Sequence, residues 1–399
     1  MDRLISVEEA KGIINRQVFV KRRLKTAVED ADGKVLATDL YAPMDIPAFD
    51  QSSMDGYAFA FSDWGKDRSL PISGEIPAGK QGSLSLQKGT TARIFTGAAL
   101  PLGADTVVMQ ELVTVKDNRA EVNDPNVALG NYVRKKGSEI KSGELALAAG
   151  TVLNPATIGF LSGIGLNEIA VYAAPTVALV ITGDELQQPG TPLLHGQVYE
   201  ASSRMLMAAL RQMGIEGVEV FFAKDELNDT IHAMEKALDA ADVVLLTGGV
   251  SVGDYDFVLR AAEACGVDKF FHKIKQRPGK PLFFGRKGEQ VVFGLPGNPS
   301  SVLTCFYEYV WSVLCRLAGK NIQLKKIEVP LLTSYIKNNQ LTHFLKGFYR
   351  QGKVEILSAQ ESYRLRSFAM ANCLVVLSEE VKTYSENELV EIHLLPTYG

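Results

Sequence analysis

The hydrophobic and polar positions of this chain change rhythm three times. Residues 1–45 open on a helical pattern, with Ser6-Val7-Glu8-Glu9 reading as an N-cap and an acidic first turn. From 46 to 145, short β-rich runs alternate with Gly and Pro: Arg93 to Phe95, Asp105 to Met109, Tyr132-Val133. A small all-β module is predicted there. Residues 146–173 carry an apolar helical pattern from Ala156 to Ile164. Between about 174 and 325, apolar strands recur as VALVI (177–181), VEVFF (218–222), VVLL (243–246) and VVFGL (291–295), with helical patterns between them. Ser202 or Ser203 is placed to cap a helix through Met213, stopped by Gly214, and Asn228 or Asp229 to cap the next through Ala240. A third helix is expected from Asp256 to Cys265, ended by Gly266. A fourth starts at Asn298-Pro299, an N-cap followed by Pro at the first helical position, and continues to Ala318. Strand and helix alternating in this way predict a doubly wound, mostly parallel sheet. Residues 326–399 return to short strands at 326–332, 353–357, 373–377 and 389–395, which suits a compact C-terminal β-barrel or sandwich.

Composition narrows the function classes. The chain has 399 residues, enough for several domains, each with its own core. A formal net charge of −4 argues against a general nucleic-acid binder, which carries a basic footprint. No apolar run approaches the length of a membrane span. The N-terminus, MDRLISVEEAKGIINRQ, is charged and amphipathic and lacks the apolar core of a signal peptide. Cys265, Cys305, Cys315 and Cys373 have no C-x-x-C pairing and read as reduced, mostly buried thiols of a cytoplasmic protein. The five histidines are scattered, with no partner at metal or triad spacing.

Candidate chemistry concentrates at the strand ends of the α/β region, because open sheets of this kind bind ligands beyond the carboxyl ends of their strands. Three loops leave strands there: Ile181-Thr182-Gly183-Asp184-Glu185, Thr247 to Asp254, and Gly294 to Ser301. Each has glycine at the turn, which lets backbone N–H groups approach an anion, and a following helix adds positive partial charge. The first two loops bring carboxylates able to hold a divalent cation. A basic segment, Lys273 to Pro281, sits between the second and third; it reads either as a solvated turn or as a rigid Pro-Gly loop presenting cations to an oxyanion. Any one such loop is usually a structural turn, and the spacings match neither the Walker loop nor G-x-G-x-x-G. Together the three point to a phosphate or nucleotide site. In the β-rich module, Asp55-Gly56, Thr96-Gly97 and Gly103-Ala104-Asp105 are first of all turn signals.

Six segments taken in order resemble the molybdopterin molybdenumtransferase family (MoeA type, gephyrin E-domain-like): QSSMDGYA (51–58), FTGAALPLGADTVV (95–108), VRKKGSEIKSGE (133–144), ITGDEL (181–186), TGGVSVGDYD (247–256) with RPGKP (277–281), and GLPGNPSS (294–301). The resemblance spans the chain. It implies an elongated, helical dimerisation region from 1–45 and 146–173, a β-rich module 46–145 that contributes to the active site of the other protomer, an α/β molybdopterin-binding domain 174–325 and a C-terminal β-barrel-like domain 326–399. It implies a homodimeric, cytoplasmic enzyme that transfers molybdenum from molybdate to adenylylated molybdopterin, cleaves the phosphoanhydride and releases AMP with Mg²⁺ taking part. Molybdopterin adenylyltransferase and apo-molybdoenzymes are the partners it implies.

By the same resemblance, Gly248, Gly249, Ser251 and Gly253 match the pterin and phosphate cradle, and Thr182 and Gly183 are expected to bind substrate. Asp184, Glu185, Asp254 and Asp256 match acids beside the metal and anhydride. Lys275, Arg277 and Lys280 match the molybdate and phosphate segment, and Pro296, Gly297, Asn298 and Ser300 the closing loop. Asp55, Thr96, Arg134 and Glu139 match positions of the β-rich module. Three residues depart from the family pattern. Glu139 stands where Asp is usual, Arg277 replaces a common Lys and so changes hydrogen-bond geometry, and Ser53 replaces a usual Ala. Two other readings stand beside the transferase: a non-catalytic pterin-binding or scaffold protein with the same fold, and a general nucleotide hydrolase. The absence of a Walker lysine weighs against the last.

Overall fold

The computed structural model describes residues 3–19, 22–64, 69–79, 85–249 and 257–396. They form two compact units, Lys25–Val171 and a second made of Met1–Leu24 with Tyr172–Gly399.

The centre of the second unit is a six-stranded sheet. Its order is Glu219–Ala223, Val177–Thr182, Val243–Thr247, Gln290–Leu295, Pro281–Lys287, Asp268–Lys273. The first four strands are parallel, Pro281–Lys287 runs against them, and Asp268–Lys273 pairs antiparallel to it at the edge. Val177–Thr182 and Val243–Thr247 are buried along their whole length, which is why they read as unbroken apolar runs. Alternate residues face different cores. Val177, Leu179 and Ile181 share one with Leu206 and Leu210, while Ala178 and Val180 share another with Met234, Leu238 and Val258. Each fully buried Leu or Val contributes roughly 1.5–3 kcal/mol through burial.

The first helix, Val7–Gln17, is capped by Ser6, whose Oγ accepts the Glu9 amide at 3.1 Å. Its stripe Ala10, Ile14 and Val18 enters the core that holds Val310 and Leu314. The opening residues therefore group with the α/β unit, whereas the resemblance placed them in one region with residues 25–45. Two other caps also differ from expectation. Ser202–Gln212 begins with the Glu200 carboxylate accepting from the Ser203 amide at 2.8 Å and hydroxyl at 2.6 Å. A carboxylate at a positive helix end forms the stronger, charge-assisted bond and takes the serine hydroxyl as a donor. Leu227–Ala240 starts at least two residues earlier than expected, with Glu226 at the N-cap position, so Asn228 and Asp229 lie inside its first turn with no side-chain cap. The fourth helix runs as expected from Pro299, but Phe306–Val310 is a π turn between Pro299–Cys305 and Trp311–Leu317.

The C-terminal strands Thr342–Arg350, Cys373–Leu377, Leu389–Leu394 and Lys326–Pro330 form an antiparallel sheet in that order, with Lys353–Ile356 beside Thr342–Arg350. Leu331 bridges Val354, which curls the sheet toward closure. Gln276–Arg277, from the basic segment, adds to the edge of this sheet, parallel to Thr342–His343.

The other unit carries a six-stranded sheet in the order Thr106–Met109, Gly56–Phe59, Thr91–Ile94, Ser69–Ile76, Arg119–Val122, Val113–Lys116. A separate core of Val28, Leu36, Leu161 and Val171 surrounds the helix Pro155–Gly163. Among the described residues, no helix is long and apolar enough to cross a membrane.

Candidate active site

A cleft of about 950 Å³ opens in the α/β unit beyond the carboxyl ends of Val177–Thr182, Val243–Thr247 and Gln290–Leu295. The three expected loops meet there. Thr182, Gly183, Glu185, Gly248, Gly249, Pro296, Gly297 and Asn298 all line it. Close packing of the turns requires one glycine in particular. Gly248 has φ +87°, and a Cβ there would stand 2.5 Å from the Thr182 carbonyl oxygen. Thr182 Oγ1 in turn donates to the Thr247 carbonyl at 3.3 Å, tying the first two strand ends together.

The basic segment reaches the same cleft through Arg277 and Lys280, both exposed. Among the described residues neither pairs with a carboxylate, so their charges remain available to an anion. Lys275 does not line the cleft; its Nζ lies 3.6 Å from Glu379. Asp184 is exposed beside the cleft and accepts from the Asp225 amide at 3.3 Å. Ser300 is buried beneath the loop with its hydroxyl unpartnered among the described residues, and of this loop's two serines it is its neighbour Ser301 that lines the cleft. Ser251, Gly253, Asp254 and Asp256 lie outside the described residues.

The C-terminal sheet adds a wall that no sequence motif announced. Gln360, Glu361, Ser362 and Tyr363 line the cleft. Ser362 accepts from Asn298 Nδ2 at 3.0 Å through its hydroxyl and from the Ser300 amide at 3.2 Å through its carbonyl. The buried Lys346 shapes this segment, its Nζ donating to the carbonyls of Ala359, Glu361 and Arg364 at 2.8, 3.3 and 3.1 Å. Tyr199, Glu200 and Asp225 complete the acidic and aromatic side. Asp225 follows the strand Glu219–Ala223, so the strand-end rule could have found it.

The four residues expected from the β-rich module lie in the other unit. Its three motifs come together: Ser52 N donates to the Ala98 carbonyl, Gly97 N to the Ser52 carbonyl, and Ser53 N to the Tyr132 carbonyl, at 3.0, 2.8 and 2.9 Å. Asp55 Oδ1 accepts from both the amide and the hydroxyl of Thr96 at 2.7 Å. Those bonds, the amide first, hold the Asp55 carboxyl below its ordinary range, so it stays ionised. Arg134 pairs in register with Gln51. Its neighbours Lys135 and Lys136 are taken by Asp50 at 2.9 Å and Asp45 at 3.3 Å. Arg134 itself has no carboxylate partner among the described residues. Glu139 is exposed and its amide donates to the Ile46 carbonyl at 2.9 Å.

Comparison with known proteins bears on the whole chain. Residues 5–165 match the MoeA N-terminal region (domain I and II), 178–316 a probable molybdopterin binding domain, and 328–395 the MoeA C-terminal region (domain IV). The chain is 34% identical to the molybdopterin molybdenumtransferase of Haemophilus influenzae, covering 98% of this chain and 100% of that one. It is 35% identical to the molybdopterin molybdenumtransferase of a Nostoc species over 87% of this chain and 83% of that one. The crystal structure of a molybdopterin biosynthesis moea protein from Pyrococcus horikosii superposes with a TM-score of 0.86 at 30% identity, covering 99% of this chain and 100% of that one.

Proposed function

Because the chain belongs to the MoeA family of molybdopterin molybdenumtransferases, we propose that its cleft binds adenylylated molybdopterin and molybdate and inserts the metal with release of AMP. The observation that carries this reading is the meeting of glycine turns with Arg277 and Lys280 in one cleft. Both substrates are polyanions. Backbone N–H groups at the turns and two cations without carboxylate partners among the described residues are what such ligands need. The chemistry calls for positioning and charge neutralisation, not for a protein nucleophile.

Mg²⁺ usually takes one or two carboxylates and completes its shell with phosphate oxygens and water. Among the described residues no three metal-binding side chains cluster, so a ready-made protein cage is not on view. Glu185 in the cleft wall and Asp184 beside it have the right donor chemistry for a shared ion. When bound, Mg²⁺ would supply positive charge to the phosphoanhydride oxygens. Asp254 and Asp256 join this set by family resemblance. Asp55, Thr96, Arg134 and Glu139 enter the reading through a homodimer in which the β-rich module serves a partner's cleft; sedimentation of the purified protein tests that assembly.

The direct test mixes the protein with adenylylated molybdopterin, Mg²⁺ and molybdate, and measures AMP together with molybdenum bound to the pterin. Molybdate-dependent AMP release with metal transfer is expected. Tight pterin binding without AMP release would overturn the transferase in favour of a binding protein, and rapid ATP hydrolysis without pterin would favour a hydrolase.

A further inference from the structure

Below the cleft, the loop that carries Arg277 and Lys280 is held by a buried amide. Gln276 is fully buried. Its Nε2 donates to the carbonyls of Pro278 and Gly279 at 3.2 and 3.0 Å and lies 3.5 Å from Cys305 Sγ. Its Oε1 accepts from the Tyr309 hydroxyl. Both ends of the amide are thus occupied, and the tyrosine sets which end faces the loop. Tyr309 is itself fully buried, and burial pushes its hydroxyl well above its ordinary titration range, so it remains a donor.

The backbone beside this amide has no spare room. Gly279 has φ +82°, and a Cβ there would stand 2.5 Å from Cys305 Sγ and 2.9 Å from Gln276 Nε2. The Ile274 amide donates to the Lys280 carbonyl at 2.9 Å and closes the loop. Cys305 and Tyr309 come from one helix, and Tyr309 lies in its π turn. A π turn widens the helix by one residue and is often found at functional sites. Here the next residue back, Glu308, turns to Lys11 and His393 while Tyr309 serves Gln276.

We propose that Gln276, oriented by the Tyr309 hydroxyl, is a positioning residue: by fixing the Pro278 and Gly279 carbonyls it sets the separation at which Arg277 and Lys280 present their charges to an oxyanion. The proposal rests on the reading that these two cations bind substrate oxyanions. Gln276 touches no substrate. It acts through the loop, because an arginine fork and a lysine point charge must both reach one small tetrahedral anion.

The test uses the full-length protein and inorganic molybdate alone, with affinity measured by calorimetry, followed by kcat and KM for molybdate in the complete reaction. Gln276→Leu should weaken molybdate binding about tenfold and raise KM in step, with kcat changed much less. Tyr309→Phe, which removes one oxygen, should shift both in the same direction by about threefold. It keeps the proposal falsifiable should Gln276→Leu fail to fold. Lys280→Ala serves as the reference. If it weakens molybdate binding while both other variants, folded, keep wild-type affinity and KM, the positioning role is overturned and the site reading survives. A fall in kcat alone, with KM unmoved, would mean a structural role and also overturn it. If Lys280→Ala leaves binding unchanged, the site reading fails and the proposal falls with it.

Discussion

His393 Nδ1 and Glu308 Oε1 lie 2.6 Å apart with both side chains almost wholly buried. The second Glu308 oxygen takes Lys11 Nζ at 2.6 Å, and His393 Nε2 meets Glu391 at 2.8 Å. The first helix, the π turn and the last strand are therefore joined at one carboxylate. Burial pushes that carboxyl up, but Lys11 above all, and then His393, outweigh it and hold it down at about 2. Glu308→Ala leaves the half-buried Lys11 and the buried His393 without this partner and should cost on the order of 3 kcal/mol in denaturant unfolding. The pH sign follows from the lowered value. The contribution is complete above the ordinary value of 4.5 and is lost as pH falls toward about 2. Glu308→Gln should flatten the fall in Tm over that window.

A second pH response sits higher. Burial first, then Lys337 and Arg277, lowers the His343 imidazole to about 4 from 6.5. The folded state keeps this ring neutral where the unfolded chain would protonate it. Its contribution is present above pH 6.5 and is lost as pH falls toward 4. His343→Gln should reduce the slope of Tm between those values and leave the slope below pH 4 to groups such as Glu308.

Asp55 and Thr96 form an exposed pair in the β-rich unit, so replacing either should leave Tm nearly unchanged. Asp55→Ala should lower molybdenum insertion by on the order of 100-fold or more. Thr96→Val keeps the amide bond to Asp55 and loses only the hydroxyl bond, and its loss of activity should be smaller. Steady-state AMP release with an unfolding curve on the same samples checks both.

Gly279 offers a controlled comparison with Gly143. The two have nearly equal φ, +82° and +81°, but a Cβ at 143 would meet nothing within 4 Å. Gly143→Ala carries only the strain of the left-handed backbone, about 1 kcal/mol. Gly279→Ala adds a collision with Cys305 and should cost on the order of 2 kcal/mol more, with weaker molybdate affinity besides. Equal thermal shifts for the two would show that the loop yields.

Much of the fold was legible because burial writes itself into the chain. The strands Val177–Thr182 and Val243–Thr247 are covered on both faces and could not be anything but apolar. Ser6 could be read as a cap because the amide that donates to it and the helix it opens are local. Glu200 could not, since a serine and a carboxylate both fit near a helix start and only geometry decides which accepts. Within the site, the glycine turns and Arg277 with Lys280 were visible as residue types at strand ends. Gln276 looked like part of a charged turn, because a two-residue strand carries no periodicity and its partner Thr342 is remote in sequence. Glu361 to Tyr363 carried no motif at all; Ser362 lines the cleft, where its hydroxyl accepts from Asn298 Nδ2, 64 positions away in sequence.

The α/β unit is closed by residues drawn from both ends of the chain. Lys11 waits 297 positions for Glu308, and Glu308 a further 85 for His393. During synthesis the first helix emerges long before its partners, and the strand Gln276–Arg277 stays unpaired until Thr342–His343 has left the ribosome. High contact order of this kind slows folding and leaves apolar surface uncovered meanwhile. A nascent chain or C-terminal truncation lacking the last strand would therefore hold the glycine turns and cations of the cleft, and Gln276 and Tyr309 with them, while the buried Glu308 carboxylate lacks its His393 partner.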